Sequence, residues 1–405
     1  MSLQAVADQG AEAVSVRLGS RRRPSQAELD GFKSRVLHAR AQTQRHHYLT
    51  EWKSLDTPIK CCGVMFVMFV VGIEIFAGSR EHLSCANHRI LRASPRKLVA
   101  SGSVYTAVGI VLEMPLQYRS SATLCALEVV LILMQTHRTT LPMTTIWLLT
   151  HGNLEGAGAM GLTRSARVEA LVPVHCIEGT AMMAYKQLQT MAEPEAILRP
   201  VALLVPRLAR VGQLAHTLFS SVASVHLVTG GTSGLGLLTA RWLTQHRTVR
   251  ALARASRRGT PASDAGHELA GLHAADACKL AQRCDIAEDA HVGQLVAHAN
   301  GLAPAMCVWH AAGVLADSIL PRQRAQGFAR VYAPKAHGAW ALHCAFATAV
   351  VPTYMLFSSA AALLGGAGQA NYSAANECLD ALVSWRRSCA LVATSVQWGA
   401  WAGVG

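Results

Sequence analysis

The run Val225-His226-Leu227-Val228-Thr229, followed at once by Gly230-Gly231-Thr232-Ser233-Gly234-Leu235-Gly236, constrains the fold more than any other stretch. A short apolar run suits a buried strand, and the helix-like Leu237 to Leu243 completes a strand, turn and helix. Gly230 permits the tight turn out of the strand, Gly234 lets backbone N–H groups approach a pyrophosphate, and Gly236 lets the helix pack closely on the sheet. A pyrophosphate at that helix N-terminus would meet free N–H groups and the positive end of the helix dipole. The stretch therefore predicts a dinucleotide-binding loop over Thr229, Gly230, Gly231, Thr232, Ser233, Gly234, Leu235 and Gly236. Glycine-rich turns also serve simply as connections, so further support has to come from downstream.

At 405 residues the chain is long for one domain, and two units are expected. Hydrophobic residues make up 51%, charged residues 15%, and mean hydropathy is +0.25, which excludes general disorder and suggests much buried sheet. The net charge of +13 suits nucleic acid, an anionic membrane surface, or an acidic protein partner and a phosphorylated cofactor. Outside Arg21 to Arg23 and Arg250 to Arg258 the basic residues are scattered, with no nucleic-acid motif or interleaved aromatics, so nucleic acid is not the expected partner. The 11 cysteines, including adjacent Cys61 and Cys62, form no C-x-x-C pair and no zinc spacing with histidine. They read as buried reduced thiols of a cytoplasmic protein, with no metal site. The N-terminus has no apolar signal core, and Asp8 and Glu12 argue against a transit peptide; an organelle address stays open.

Residues 1–47 read as a polar, flexible lead-in to Arg23, then a linker or docking helix. Ser25 with Glu28 fits a capping box there, and Leu29, Phe32, Val36 and Leu37 recur at helical spacing. Residues 48–215 form a first α/β unit without a glycine fingerprint. It opens with an edge strand at Tyr48 to Trp52, and further apolar runs lie at Val104 to Glu113, Leu124 to Met134 and Thr144 to Leu149. The apolar stretch Cys61 to Gly78 is barely long enough to span a bilayer and is interrupted by Glu74, so a buried strand is expected rather than a membrane span. Ile197 to Val211 reads as the link between the halves. From Val225 the alternation of strand and helix in residues 216–405 implies a doubly wound parallel sheet, with cofactor at the carboxyl ends of its strands.

After a second strand, Val249 to Ala253, come Arg254-Ala255-Ser256-Arg257-Arg258-Gly259. Ser256 and Arg257 suit a 2'-phosphate and favour NADPH, since a cofactor lacking that phosphate is usually met by an acid here; a solvated basic loop is the plainer alternative. Asp285, beside Ile286, could bond the adenine amine or cap the following helix. His310-Ala311-Ala312-Gly313 ends a fourth strand, its small side chains fitting either a passing ribose or tight packing. Further on, Phe357-Ser358-Ser359 closes an apolar strand, and Tyr372 and Asn376 stand at i and i+4 on one helix face. Ser359 precedes Tyr372 by 13 residues (372 − 359).

This constellation resembles the short-chain dehydrogenase/reductase superfamily, in particular the ketoreductase domains of modular polyketide synthases and animal-type fatty acid synthases. The superfamily's usual pattern is Tyr-x-x-x-Lys, whereas Asn376 stands at i+4 here; in those ketoreductases lysine and asparagine exchange places, the lysine lying 24 residues before the serine, which is Lys335 (359 − 24). The resemblance makes Lys335, Ser359, Tyr372 and Asn376 the catalytic tetrad. It also makes the first unit, with Trp147 to Gly152 and Gly161 to Glu169, a truncated dinucleotide-type structural subdomain that binds no cofactor.

The implied activity is NADPH-dependent reduction of a β-ketoacyl thioester. Tyr372 would act as general acid, Lys335 would lower its pKa and hold the ribose hydroxyls, Ser359 would bond the carbonyl oxygen, and Asn376 would hold Lys335 or a relay water. The implied partners are an acyl carrier protein bearing a phosphopantetheine-linked substrate, and other synthase domains. Leu315-Ala316-Asp317 resembles a partial form of the Leu-Asp-Asp signature of B-type ketoreductases, and Leu364 stands where A-type members carry tryptophan, so the B-type outcome is implied. In the family the strand Ser395 to Trp401 is followed by a lid helix; the chain reaches only Gly405, which reads as a fragment of a larger synthase. A catalytically silent structural remnant is the competing reading.

Overall fold

The computed structural model describes residues 2–6, 14–20, 23–32, 47–54, 66–72, 84–85, 88–92, 107–113, 120–140, 145–150, 154–179, 193–199, 202–211, 225–246, 249, 251–260, 278–302, 306–347, 349 and 351–399. Two compact units are present: Met1–Leu49 with Leu208–Leu214, and Thr50–Arg207 with Ala215–Gly405.

In the first unit, β1 (Ser2–Val6), β2 (Val14–Ser20) and β3 (Arg23–Phe32) form an antiparallel sheet. The helix expected from Ser25 is therefore a strand, and the lead-in before it holds two more; Val36, Leu37, Asp8 and Glu12 lie outside the described residues. Helix propensity summed over so short a stretch is small, and it includes Asp30-Gly31. Pairing of Ser20 with Arg23 and of Val16 with Leu29 closes a ladder instead.

The second unit carries two sheets. The first comprises β4 (His47–Ser54), β5 (Phe66–Gly72), β6 (Ser84–Cys85), β7 (His88–Arg92), β8 (Ala107–Glu113), β9 (Thr145–Thr150), β10 (Val174–Glu178), β11 (Glu195–Arg199) and β12 (Ala202–Val211). Their order is β4-β12-β11-β10-β9-β8-β5-β7-β6. Of these, β4 belongs to the second unit from Thr50 and β12 as far as Arg207. Helices α1 (Ser120–Thr140) and α2 (Leu154–Ala170) connect β8 to β9 and β9 to β10, each a parallel pair. The apolar stretch from Cys61 thus contains a strand paired in parallel with β8; Cys61, Cys62 and Glu74 lie outside the described residues. Among those residues no helix is long and apolar enough to cross a membrane. Ile197 to Val211, expected to be a link, is instead the antiparallel pair β11 and β12. Pro206, which argues against a strand when read alone, is accommodated within β12.

The second sheet contains β13 (Val225–Thr229), β14 (Ala251–Ser256), β15 (Cys278–Arg283), β16 (Met306–His310), β17 (Thr353–Ser359) and β18 (Thr394–Trp398). All are parallel, in the order β15-β14-β13-β16-β17-β18. The order reverses between β13 and β16, where a crevice opens at the carboxyl ends. The connecting helices are α3 (Gly234–His246), α4 (Asp289–Asn300), α5 (Ala325–Tyr332), α6 (Gly338–Ala345), α7 (Ala360–Leu364) and α8 (Ala370–Ser388). A π-helical turn at Ala333–His337 joins α5 to α6. The architecture is α/β: a doubly wound parallel sheet preceded by a truncated Rossmann-like subdomain.

Three cores hold these layers. Val225, Leu227, Ala253 and Leu356 pack with Leu295, Leu342 and Leu379 on one face of the second sheet. Val228, Leu252, Trp309 and Phe357 pack with Leu237 and Leu243 on the other. The third joins the subdomains: Leu127, Met134, Leu148 and Leu162 meet Phe328, Tyr332, Ala370 and Ala374. Its closest approach is α2 against α8. A Cβ at Gly161 would overlap the Ser373 carbonyl, and one at Gly158 would sit 3.0 Å from Cys378 Sγ.

Alanine normally gains about 1 kcal/mol over glycine inside a helix, but overpacking costs about 1–3 kcal/mol and should prevail at this crossing. Gly161→Ala is expected to lower stability in urea unfolding. The control Gly293→Ala, on α4 with open space around its Cβ position, is expected to raise it.

Candidate active site

The loop after β13 defines the floor of a cleft of about 590 Å³. Gly230 turns out of the strand at φ +67°; Gly234 has φ +51°, and the place a Cβ would take there is open. Gly236 enters α3 so near the Gly230 carbonyl that a side chain would overlap it. Of the residues expected at the cofactor, Thr229, Gly230, Thr232, Ser233, Ser256, Arg257, Asp285, Ile286, Ala312 and Gly313 line the cleft. Gly231, Gly234, Leu235, Gly236, His310 and Ala311 are not among its lining residues. Ala255, Arg258, Thr260, Cys284, Val314 and Pro334 also line it and were not among the residues expected to bind cofactor, though each adjoins or nearly adjoins one.

The rim opposite the glycine loop is a tight turn. Gly259 N donates to Ser256 Oγ at 3.0 Å, and Cys284 N donates to the Ser256 carbonyl at 2.9 Å. Arg257 and Arg258 stand exposed beyond it. Arg254 lies under Gly231, 7% exposed, with Nε and Nη1 unpartnered and its pKa lowered by burial. A guanidinium with unmet donors near a basic rim, and a glycine turn with room above it, fit a phosphorylated dinucleotide. Asp285 does not cap α4; its Oδ1 accepts from Ala287 N at 3.1 Å, and the N-cap position is Glu288.

His310 is fully buried between the loop and the π turn. Its Nε2 donates to the Lys335 carbonyl at 3.0 Å, which leaves Nδ1 bare to accept from the Thr229 hydroxyl at 2.7 Å. Burial is the main cause of a pKa lowered from 6.5 to about 4, so the ring is neutral. The π turn brings Lys335 inward. Its ammonium donates to Asn376 Oδ1 at 2.9 Å and to the Phe357 carbonyl at 3.1 Å, with the residue 5% exposed. Gly313 leaves room for its stem, since a Cβ there would lie 2.8 Å from Lys335 Cε. Burial pulls the Lys335 pKa down to about 8, countered in part by the Asp380 charge.

Tyr372 lies over this ammonium, with Nζ 5.0 Å from the ring centroid. Asn376 closes the arrangement, its Nδ2 donating to the Tyr372 carbonyl at 2.8 Å. Ser359 ends β17 and caps α7, its Oγ accepting from Ala361 N at 3.2 Å. The Tyr372 pKa is raised, not lowered: burial outweighs the hydrogen bonding of Asn376 and Ser359, and the Asp317 charge adds to the rise. The expected drop beside a lysine is thus absent, because half-burial of the phenol opposes it. The structure therefore brings Lys335, Asn376, Tyr372 and Ser359 to the carboxyl ends of β16 and β17, beside the cleft. Among the described residues no group of acids, histidines and cysteines could hold a metal ion.

Residues 224–403 match the family model of the KR domain. A segment of 182 residues, 44% of the chain, is 43% identical to the spectinabilin polyketide synthase system protein NorB of Streptomyces orinoci, covering 8% of that protein. Over 250 residues, 62% of the chain, identity to polyketide synthase GfsA of Streptomyces halstedii is 35%, covering 3% of that protein. The chain thus spans only a small part of the curated relatives it matches. An A1-type ketoreductase structure aligns over 88% of this chain and 83% of its own at a TM-score of 0.76 and 24% identity, a likeness of fold. The first ketoreductase of the tylosin synthase aligns over 88% of this chain and 82% of its own, at 0.70 and 23%. Residues 224–403 thus match a KR domain and are similar to segments of polyketide synthases, with the fold of their ketoreductases.

Two buried groups of the site, His310 and Lys335, each contribute to the pH response of the ligand-free protein. The His310 imidazole takes a proton near pH 6.5 when unfolded but only near 4 when folded, so the unfolded state binds more protons between these values. The His310 contribution to stability should fall as pH drops from 6.5 to 4, by at most about 1.4 kcal/mol per pH unit, and is read as the difference between wild type and His310→Asn, because Glu377, raised by burial to about 7, acts with the opposite sign above pH 4.5. Lys335 acts between pH 8 and 10.5, where the unfolded amine is still protonated and the folded one is not. Stability should rise with pH there, and urea unfolding of Lys335→Met should lack that rise.

Proposed function

We propose that residues 216–405 reduce the β-ketone of an acyl thioester, carried on the phosphopantetheine of an acyl carrier protein, to the β-hydroxyacyl thioester. The observation that carries this reading is the buried Lys335 ammonium, bonded to Asn376 and lying under the Tyr372 ring at the end of a cleft floored by the glycine loop. NADPH, held by the loop from Thr229 to Gly236 and by Ser256 and Arg257, supplies the hydride when bound.

The remaining chemistry belongs to the chain. Negative charge develops on the carbonyl oxygen as the ketone is reduced; Tyr372 donates its phenolic proton there, and Ser359 donates a hydrogen bond to the same oxygen. A raised phenol pKa keeps Tyr372 protonated before the step. The nearby ammonium then favours the phenolate once the proton has left, since an opposite charge stabilises the ionised form. Asn376 fixes that ammonium with its carbonyl and is itself anchored to the Tyr372 backbone, so the distance between cation and phenol is set within one helix turn. The net charge of +13 suits encounter with an acidic carrier protein. Leu315 and Leu364, both exposed, stand where the resemblance reads the B-type stereochemical outcome.

Oxidation of NADPH at 340 nm with a β-ketoacyl N-acetylcysteamine thioester tests the reading. Tyr372→Phe is expected to lose activity by about a hundredfold or more while still binding NADPH. Wild-type protein that binds NADPH and never oxidises it would make the chain a silent remnant.

A further inference from the structure

The connection between Ser359 and Tyr372 is held in place by the other subdomain. Along α2, Arg164 Nη1 donates to the Ala362 carbonyl at 2.7 Å, Ser165 Oγ accepts from Gly366 N at 3.2 Å, and Glu169 Oε2 accepts from Gly368 N at 2.8 Å. The backbones themselves touch: Gly365 has φ +78°, and a Cβ there would lie 2.6 Å from the Arg164 carbonyl. Gly161, Ser165 and Glu169 follow one another at four-residue spacing and share a face of α2.

Glu169 does more than its neighbours, because its second oxygen, Oε1, accepts from Leu320 N at 2.5 Å on a different loop. That loop is joined to the connection by Ser318 N donating to the Gly368 carbonyl at 2.8 Å and by Asn371 Nδ2 donating to the Ala316 carbonyl at 2.8 Å. One carboxylate therefore spans the seam between the loop bearing Asp317 and the loop leading into Tyr372. Arg164 is buried and also bonds Glu195 and, at 2.6 Å, Glu377 on α8, so the same helix grips the start of the connection and the helix that follows it.

We propose that Glu169, supported by Ser165 and Arg164, is a positioning residue for the reduction: it holds the two loops so that Ser359 and Tyr372 converge on one carbonyl oxygen. The inference rests on the reductase reading. Two hydroxyls at the ends of a 12-residue connection (360–371) must meet a single atom, and a displacement of about 1 Å costs about a hundredfold in rate. The subdomain that lacks a glycine loop thus sets the geometry of catalysis in the one that has it.

Glu169→Gln tests this, because its amide must turn an N–H toward one of two backbone N–H groups. Amide hydrogen exchange at Gly368 and Leu320, the NADPH dissociation constant, the unfolding midpoint, kcat and KM are compared with wild type. The expected result is faster exchange at one or both amides, unchanged NADPH affinity and midpoint, and kcat lower by about tenfold or more. Ser165→Ala should show a smaller fall in the same direction, and decides the matter by the same criteria if Glu169→Gln does not fold. A wild-type kcat despite faster exchange would overturn the proposal, as would kcat, NADPH affinity and midpoint all falling together. Inactive wild type would overturn the reductase reading and this one with it; an active wild type matched by an equally active Glu169→Gln would overturn this one alone.

Discussion

The ammonium of Lys335 is the group around which the catalytic half is arranged. A buried charge is costly unless its donors are met, and here two acceptors, Asn376 Oδ1 and the Phe357 carbonyl, meet two of its three. Satisfying it fixes much else. The π turn Ala333–His337 brings the lysine inward, and the carbonyl of Lys335 is taken up by His310 rather than left idle. His310 in turn orients the Thr229 hydroxyl at the mouth of the glycine loop. Gly313 leaves space for the aliphatic stem, and Asn376 passes the constraint to the backbone of Tyr372. Hydrogen bonds on either side of Lys335, at its carbonyl and at its ammonium, thus link the dinucleotide-type loop to the backbone of Tyr372.

Helix α8 carries this arrangement on one face and is pinned on the next. Its catalytic face presents Tyr372 and Asn376, and the adjoining face, about 100° round the helix, presents Ser373 and Glu377 to Ser165 and Arg164 of α2. Buried charge recurs there. Arg164 and Arg167 share Glu195, and Glu377 is raised to about 7, chiefly by burial and against the pull of Arg164. Asp380, also raised by burial, accepts from Ser358, Gln397 and Ser395. Breaking one member of such a network is costly because the others are left charged and dry. That face therefore resists rotation or sliding of the helix, and its rigidity keeps the neighbouring phenol in register with Ser359.

Much of the catalytic half was legible in the sequence, because its signals are local: glycine spacing after an apolar run, and an i, i+4 pair on one helix. The strands read at Val225, Val308 and Tyr354 are present within a few residues of where periodicity put them. The first half was less legible. Pro206 in an Arg-rich stretch disguised β12, and a capping-box pattern at Ser25 suggested a helix where strand pairing prevails. Arg164 and Glu169 could be quoted as part of a motif, but their partners lie 198 and 199 residues away at Ala362 and Gly368, a separation that no local pattern encodes. The direction of the Tyr372 shift was hidden for a similar reason. It depends on how far burial outweighs the neighbouring dipoles, which is a property of packing.

The most direct test of the account follows the hydride itself. The protein is incubated with NADPH deuterated at the transferable C4 position and a β-ketoacyl thioester, and the product is examined by mass spectrometry. The account predicts one deuterium at the β-carbon of a hydroxyacyl product from wild type, and almost none from Lys335→Met. Product without deuterium, or undiminished transfer in Lys335→Met, would contradict it.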